Sequence, residues 1–309
     1  MFFLKNKGKI NINHNSINFI FISLIGLCII YFYFVFDNIK DRENFISSKH
    51  NFNKYTDEDI FDDFYVDFYD KVYVEKQRIN FEETTILPLI NNKKSKILDI
   101  GCGTGQLVNR LDDNNKILVT GADISEKMLS KAKQNYPDNN FVKKNCSDSL
   151  NFYQEEFNII TILYFTIYYF PNKEQLIENC FRWIKPGGYL ILHLVNLNKF
   201  DPYGVGSNEK SEKKSISFQD EQFNYSSKFI IDKSKDCKTN DNTPNITYKE
   251  FFKFNNNKSV RMNEHNLYGT SQKLILSMAL EKGFILREQK HMKDVGASYQ
   301  YLYILQKPE

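Results

Sequence analysis

The sequence predicts an α/β fold: a mostly parallel sheet with helices on both faces, an antiparallel β insertion late in the chain, and an N-terminal transmembrane helix. Three observations carry this expectation. Between residues 96 and 195, short apolar runs alternate with amphipathic helical stretches, the pattern of a parallel sheet covered on both sides. After residue 199 the alternation stops. There, polar sequence rich in Lys, Ser and Asn contains two stretches of period two, at 222–231 and 246–254. Finally, residues 19–36 ("FIFISLIGLCIIYFYFVF") carry no charge, and at about 1.5 Å per residue they reach nearly across a hydrocarbon layer.

Taken in order, residues 1–18 form a short polar N-terminus and 19–36 the membrane anchor. A cleaved signal peptide would have a shorter apolar run and a small-residue cleavage site. A buried helix is rarely apolar on every side. Lys5, Lys7 and Lys9 precede the span and Lys40, Arg42, Lys49 and Lys54 follow it, so flanking charge hardly fixes orientation. Residues 37–56 read as a linker, and 57–309 as one globular domain with a cap insertion at 199–262. Thr56 is placed to cap a helix. Asp57, Glu58 and Asp59 suit its first turn, and Phe61, Phe64, Phe68 and Val72 recur at helical spacing. A second helix is expected over 81–90, ending near Pro88.

Strands are then expected at 97–100, 116–122, 140–144, 157–164 and 189–195, with helices at 106–111, 125–135 and 174–184. The last of these helices is closed by "KPGG". Beyond the cap, a helix over 271–282 ends at Gly283, and 284–288 and 299–306 supply closing strands.

Composition excludes several functions. A net charge of +3 is too mild for a nucleic-acid binder, and residues 57–70 hold seven acids and no base, which repels phosphate. The five cysteines form no CxxC pair and no metal-ligand spacing, which fits a reducing compartment and no metal site. Sequons at Asn145, Asn224, Asn245 and Asn257 are unremarkable in so Asn-rich a chain.

The chemistry concentrates in "SKILDIGCGTGQL" (95–107). Gly101 permits a tight turn after the strand, Gly103 lets backbone N–H groups approach a ligand, and Gly105 allows close strand–helix packing. A dinucleotide fingerprint would place its third glycine at position 106, which is Gln106, so a pyrophosphate reader is disfavoured. Asp123, ending the next strand, can accept bonds from both hydroxyls of a ribose, or it can simply cap the following helix.

These motifs make the sequence recognisable. It resembles the class I S-adenosylmethionine (SAM)-dependent methyltransferases, and within them the small-molecule-type group with a β cap. The resemblance rests on "ILDIGCGTG" (97–105), "GADISEKMLSKA" (121–132), "FVKKNCSDS" (141–149), "FNIITILYFTIYYF" (157–170) and "WIKPGGYLILHLV" (183–195), and covers about residues 60–309. It also looks like membrane-anchored members from large DNA viruses. The resemblance implies a Rossmann-like seven-stranded mostly parallel sheet, and SAM as cofactor. Gly101, Cys102, Gly103, Thr104 and Gly105 would line the methionine end, with Asp99 near its amino group. Asp123 would bind the ribose, and Ile124 would pack on the adenine. Asn145, where the family usually has Asp, and Cys146 would face the adenine edge, with Asp148 as a substitute acceptor. Leu163 and Tyr164 would present backbone to the ligand. Tyr65, Tyr69 and Tyr73 lie on the helix that closes over SAM in this family, and Arg78 would pair with the SAM carboxylate or form a surface salt bridge.

A proton acceptor is needed only if the methyl acceptor is a hydroxyl or an ammonium. The candidates are Tyr168, Tyr169 and His193, although a histidine inside a strand is commonly a satisfied core residue. The expected activity is methyl transfer to a small-molecule, lipid or protein acceptor at a membrane surface, with the catalytic domain in the cytosol. Two other readings stand: a non-catalytic SAM-binding regulator, and a nicotinamide-dependent reductase.

Overall fold

A computed structural model describes residues 52–72, 76–90, 94–112, 117–200, 212–218, 221–232 and 244–309, all within one unit, Phe52–Glu309. The expected span 19–36, the segment before it, most of the 37–56 linker and Tyr73 lie outside the described residues. Among the described residues no helix is long and apolar enough to cross a membrane.

The chain opens with β1 (Phe52–Thr56), inside the stretch that reads as linker. Thr56 is therefore the end of a strand and makes no side-chain cap. A 3-10 turn (Asp57–Ile60) intervenes before helix α1 (Asp63–Val72), so the expected single helix is broken in two. Helix α2 (Lys76–Ile86) starts five residues earlier than expected, and Pro88 sits in the 3-10 turn Leu87–Leu89 that ends it.

The parallel core then runs β2 (Ser95–Ile100), α3 (Gln106–Leu111), β3 (Ile117–Asp123), α4 (Glu126–Asn135), β4 (Asn140–Lys143) and β5 (Phe157–Ile162). A one-turn helix α5 (Thr166–Tyr169), helix α6 (Lys173–Trp183) and β6 (Ile184–Val195) follow. The "KPGG" segment is not a turn but part of β6. Gly187 takes φ +77°, and the register with β5 shifts between Phe157 and Ile159, so the extra residues bulge out of the ladder. Four strands, β7 (Glu212–Phe218), β8 (Glu221–Ile231), β9 (Ile246–Phe254) and β10 (Val260–Leu267), join β1 in the cap. Helix α7 (Gln272–Glu281), capped by Ser271, leads to β11 (Ile285–His291) and β12 (Gln300–Gln306).

The main sheet has seven strands in the order β11-β12-β6-β5-β2-β3-β4. Strands β2 to β6 pair in parallel, and β12 pairs antiparallel with both of its neighbours, so it alone runs against the rest. Buried side chains of α6 and α7 (Leu176, Cys180, Trp183, Ile275, Ala279) join one face, and those of α2, α3 and α4 (Ile79, Ile86, Val108, Leu111, Leu129) join the other. The cap is a second sheet of five strands, β1-β10-β9-β8-β7. It is antiparallel except where β1 lies parallel to β10. It extends to Leu267, past the expected limit at 262.

Helix α1 is the wall shared by core and cap. Its apolar side enters the cap, where Phe68 is fully buried with its ring 4.7 Å from Phe252, 5.2 Å from Tyr225 and 5.9 Å from Phe223. Its acidic side faces α4. Lys127 pairs with Asp63 at 2.8 Å, Lys131 pairs with Asp67, and the Asn135 amide donates to Asp70 at 3.2 Å. Spacing of four and three residues along α1 matches spacing of four along α4, so acids that would repel phosphate are answered by a neighbouring helix.

Removing the Phe68 ring should therefore cost far more than removing one exposed charge. Phe68→Ala is expected to lower stability by about 3–5 kcal/mol in guanidinium unfolding, and Asp63→Asn by less than about 1 kcal/mol.

Candidate active site

The loop after β2 is held in its unusual shape by β3. The N–H groups of Gly101 and Cys102 both donate to the carbonyl of Ala122, at 2.8 and 3.2 Å. Gly101, Gly103 and Gly105 take φ of +73°, +54° and +84°, a region that favours glycine. The three do different jobs. A Cβ on Gly101 would overlap Thr166, and one on Gly105 would stand 2.6 Å from the Phe141 ring. A Cβ on Gly103 would meet only Tyr69, at 3.9 Å. Close packing thus demands the outer two glycines, while the middle one leaves an open cradle.

Asp123 faces that cradle. Its carboxylate accepts the Gly103 N–H at 2.9 Å with one oxygen and the Ser125 N–H at 2.9 Å with the other. It is half-buried, and burial raises its pKa against the backbone donors that lower it. Ile124, next in the chain, leaves 45% of its surface exposed, an apolar platform beside the carboxylate. Thr104 donates to Asp70 of α1, which ties the shared helix to the glycine loop.

Asp99 lies deeper, 5% exposed, and its carboxylate accepts the Thr161 hydroxyl at 2.7 Å. Burial pushes its pKa up to about 7, with the Glu82 and Asp123 charges adding to the rise. An acid so placed is primed to take a cationic partner. Arg78 is not at the surface. It donates to the buried Glu82 at 2.7 Å, and its guanidinium lies over the Tyr164 ring, 4.6 Å from the centroid. Tyr164 itself holds φ +52°, a strained conformation of the kind that collects at functional sites. Leu163 beside it is buried, and burial raises the Tyr69 phenol on α1.

Other sequence candidates have local duties. The Asn145 carboxamide accepts the Ser147 N–H at 3.1 Å, and the Asp148 carboxylate accepts the Leu150 N–H at 2.9 Å, so both side chains close turns. Cys146 is core, its thiol pushed up to about 12 by burial. Cys102 packs against Gly121, where a Cβ would come within 2.8 Å of its sulfur, and burial raises its thiol as well. Neither is a ready nucleophile.

Two proton-acceptor candidates are core residues. Tyr168 is fully buried, its phenol oxygen accepting the Val195 N–H at 2.9 Å. His193 is fully buried in β6, bonded through Nε2 to Gln300 at 2.9 Å. Burial and Arg78 push its pKa down to about 3. Tyr169 differs. It is 41% exposed, and its phenol lies 2.8 Å from Nδ1 of His265. Sequence reasoning missed His265 and its partner Glu250. The only signal was polar residues at inward positions of period-two cap strands, and their pairing is not readable from sequence.

The strand order, with β12 reversed, is that of a Rossmann-like α/β fold. Within this chain, residues 97–188 match the family described as a methyltransferase domain. Over 112 residues the chain is 34% identical to the ubiquinone biosynthesis O-methyltransferase of Coxiella burnetii, covering 35% of this chain and 47% of that one. Over 162 residues it is 25% identical to the phosphoethanolamine N-methyltransferase of Plasmodium falciparum, covering 50% and 58%. The chain thus spans about half the length of these curated relatives. A SAM-dependent methyltransferase from Clostridium acetobutylicum shares the fold, with a TM-score of 0.57, 16% identity, and coverage of 78% of this chain and 97% of that one.

The glycines should separate experimentally. Gly103→Ala incurs only the left-handed backbone penalty, about 1–2 kcal/mol, whereas Gly101→Ala adds a steric overlap and should lose about 3 kcal/mol or more. Denaturant unfolding of both variants checks the order.

Proposed function

We propose that this chain transfers a methyl group from SAM to a hydroxyl or amino group of a small-molecule acceptor held beneath the cap. The observation that carries this reading is the open backbone at Gly103, facing Asp123 and the exposed Ile124, with α1 laid across it. The names of the two relatives, an O- and an N-methyltransferase of small molecules, support the acceptor class.

The residues fit the cofactor. Asp99 meets the amino group, and the backbone of 101–105 with Arg78 nearby meets the carboxylate. Asp123 takes the ribose hydroxyls, Ile124 covers the adenine with the backbone of Asn145 and Cys146 at its edge, and Leu163 and Tyr164 present backbone to the ligand. When bound, SAM supplies a methyl group already activated by its sulfonium. The protein then has to align the acceptor and exclude water. Alignment of this kind removes as much as about 7–11 kcal/mol from a barrier. Tyr69 and the Thr104–Asp70 bond hold α1 against the glycine loop.

We also place residues 19–36 across a membrane, with the domain that follows on the cytosolic side, where SAM is made. The uncharged run supports the span. A glycan on Asn224 or Asn245 in cells overturns the orientation.

Calorimetry on the full chain in mild detergent, with SAM, S-adenosylhomocysteine and NAD, tests the reading. Labelled-methyl transfer into membrane lipids, proteins and small-molecule extracts then follows turnover. Binding of SAM without turnover favours a regulator, and binding of NAD favours a reductase. The full chain is needed because a fragment starting at Thr56 would lack β1.

Asp123→Ala should weaken SAM binding at least about tenfold, since two hydroxyl contacts to a charged acceptor are lost. Affinity should also depend on pH. Asp99 must be ionised to meet an ammonium, so affinity falls as pH drops from 8 to 6 through its pKa of about 7. The expected loss is about tenfold by pH 6, and Asp99→Asn should abolish the slope along with most of the affinity.

A further inference from the structure

We propose that Tyr169, His265 and Glu250 form a proton relay that takes the proton from a hydroxyl or ammonium methyl acceptor. This rests on the methyltransferase reading above and deepens it by naming the acceptor chemistry.

The geometry is a line of hydrogen bonds running from the surface of the cleft into the cap. Tyr169 sits on α5, immediately after the strand that ends at the crevice, and is 41% exposed. Its phenol lies 2.8 Å from Nδ1 of His265, and Nε2 of the same ring lies 2.8 Å from Glu250. His265 is 3% exposed and Glu250 fully buried. A carboxylate can only accept, so Nε2 carries the hydrogen and donates to Glu250. Nδ1 is then left as a lone pair for the Tyr169 O–H. This tautomer is assigned from the bonding partners.

Both Glu250 oxygens are met by donors. Tyr225 donates to its other oxygen at 3.0 Å, and the Asn263 amide approaches at 3.4 Å. Around the imidazole stand Tyr65 of α1, with its phenol 3.4 Å from Nε2, Tyr248 of β9 and Phe61. Arg261, on the same strand as His265, is turned away to Asp62 at 2.6 Å and to the carbonyl of Ile60 at 2.9 Å. The imidazole therefore faces one carboxylate and several phenols.

Burial holds the Tyr169 phenol well above its ordinary pKa, so it conducts a proton rather than waiting as a phenolate. Thr166, on the same one-turn helix as Tyr169, packs against Gly101, which brings α5 to the glycine loop.

The step balances. The acceptor O–H or N–H bond breaks, and its proton passes to the phenol oxygen while the phenol proton passes to Nδ1 of His265. The electron pair left on the acceptor forms the new bond to the methyl carbon, and the pair of the broken C–S bond stays on sulfur. The imidazolium, paired with Glu250, gives its proton to water after product release. A purely structural role would use the same bonds to pin cap to core, but it would not couple them to rate.

The test uses full-length protein, catechol as the hydroxyl probe and phosphoethanolamine as the ammonium probe. Labelled-methyl transfer is followed from pH 6 to 9, with SAM affinity measured on every sample. Y169F, H265N and E250Q are expected to bind SAM within twofold of the parent, to keep the acceptor KM within threefold, and to lose about 10²–10⁴-fold in kcat. The loss in H265N should shrink as pH rises, because a solvent base then replaces the relay. Unchanged kcat in Y169F and E250Q overturns the relay. So does a parent that binds SAM yet methylates neither probe, an outcome that leaves the cofactor reading standing. A parent that binds no SAM overturns both. If H265N fails to bind SAM, Y169F and E250Q, which preserve shape, decide the matter.

Discussion

One ten-residue helix, α1, holds the arrangement together. Its aromatic side is embedded in the cap through Phe64 and Phe68, and its polar side meets the glycine loop through Tyr69 and Asp70. The cleft between them is consequently set by where α1 lies. That position is fixed by dry aromatic packing on one side and by charge pairing with α4 on the other. The two sides differ in strength. Buried rings contribute several kcal/mol each, whereas exposed pairs such as Lys127–Asp63 contribute a fraction of one.

The electrostatics of the cleft follow from the same enclosure. Asp99, Asp123 and Glu82 are all raised by burial, and Arg78 is the buried cation set among them. Such a concentration of acids, one poised near neutrality, is costly unless a cation arrives. A zwitterionic ligand with an ammonium at one end and a carboxylate at the other suits both Asp99 and Arg78. The cysteines illustrate the opposite case: burial silences Cys102, Cys146 and Cys180 as small core residues.

The parallel core was legible because its information is local. Each βα unit declares itself within about fifteen residues, and "ILDIGCGTG" specifies its own turn. Asp123 and Ile124 were legible for the same reason, as the end of the next strand. The cap was legible only as a change of pattern. The β1–β10 pairing joins residues more than two hundred positions apart, so no window could show that a supposed linker was a strand. His265 and Glu250 escaped notice because their meeting depends on the register of β9 against β10. Tyr168 and Tyr169 are indistinguishable by composition. A turn of α5 sends one into the core and the other to the cleft, and only packing reveals which. The acids of 57–70 pointed away from phosphate, while their actual counterpart, the lysine row of α4, lies some sixty residues on.

The pairing of Phe52 with Val260 has a consequence for how the chain must be made. Synthesis proceeds from the N-terminus, so β1 and the Phe64–Phe68 face of α1 leave the ribosome long before the cap strands that cover them. For most of translation an unpaired strand edge and a greasy aromatic ridge stand exposed, the features that invite sticking to other nascent chains. Pairings of such long range are intrinsically slow to form, so closure of the cap sheet is the step at which a chaperone would have the most to shield.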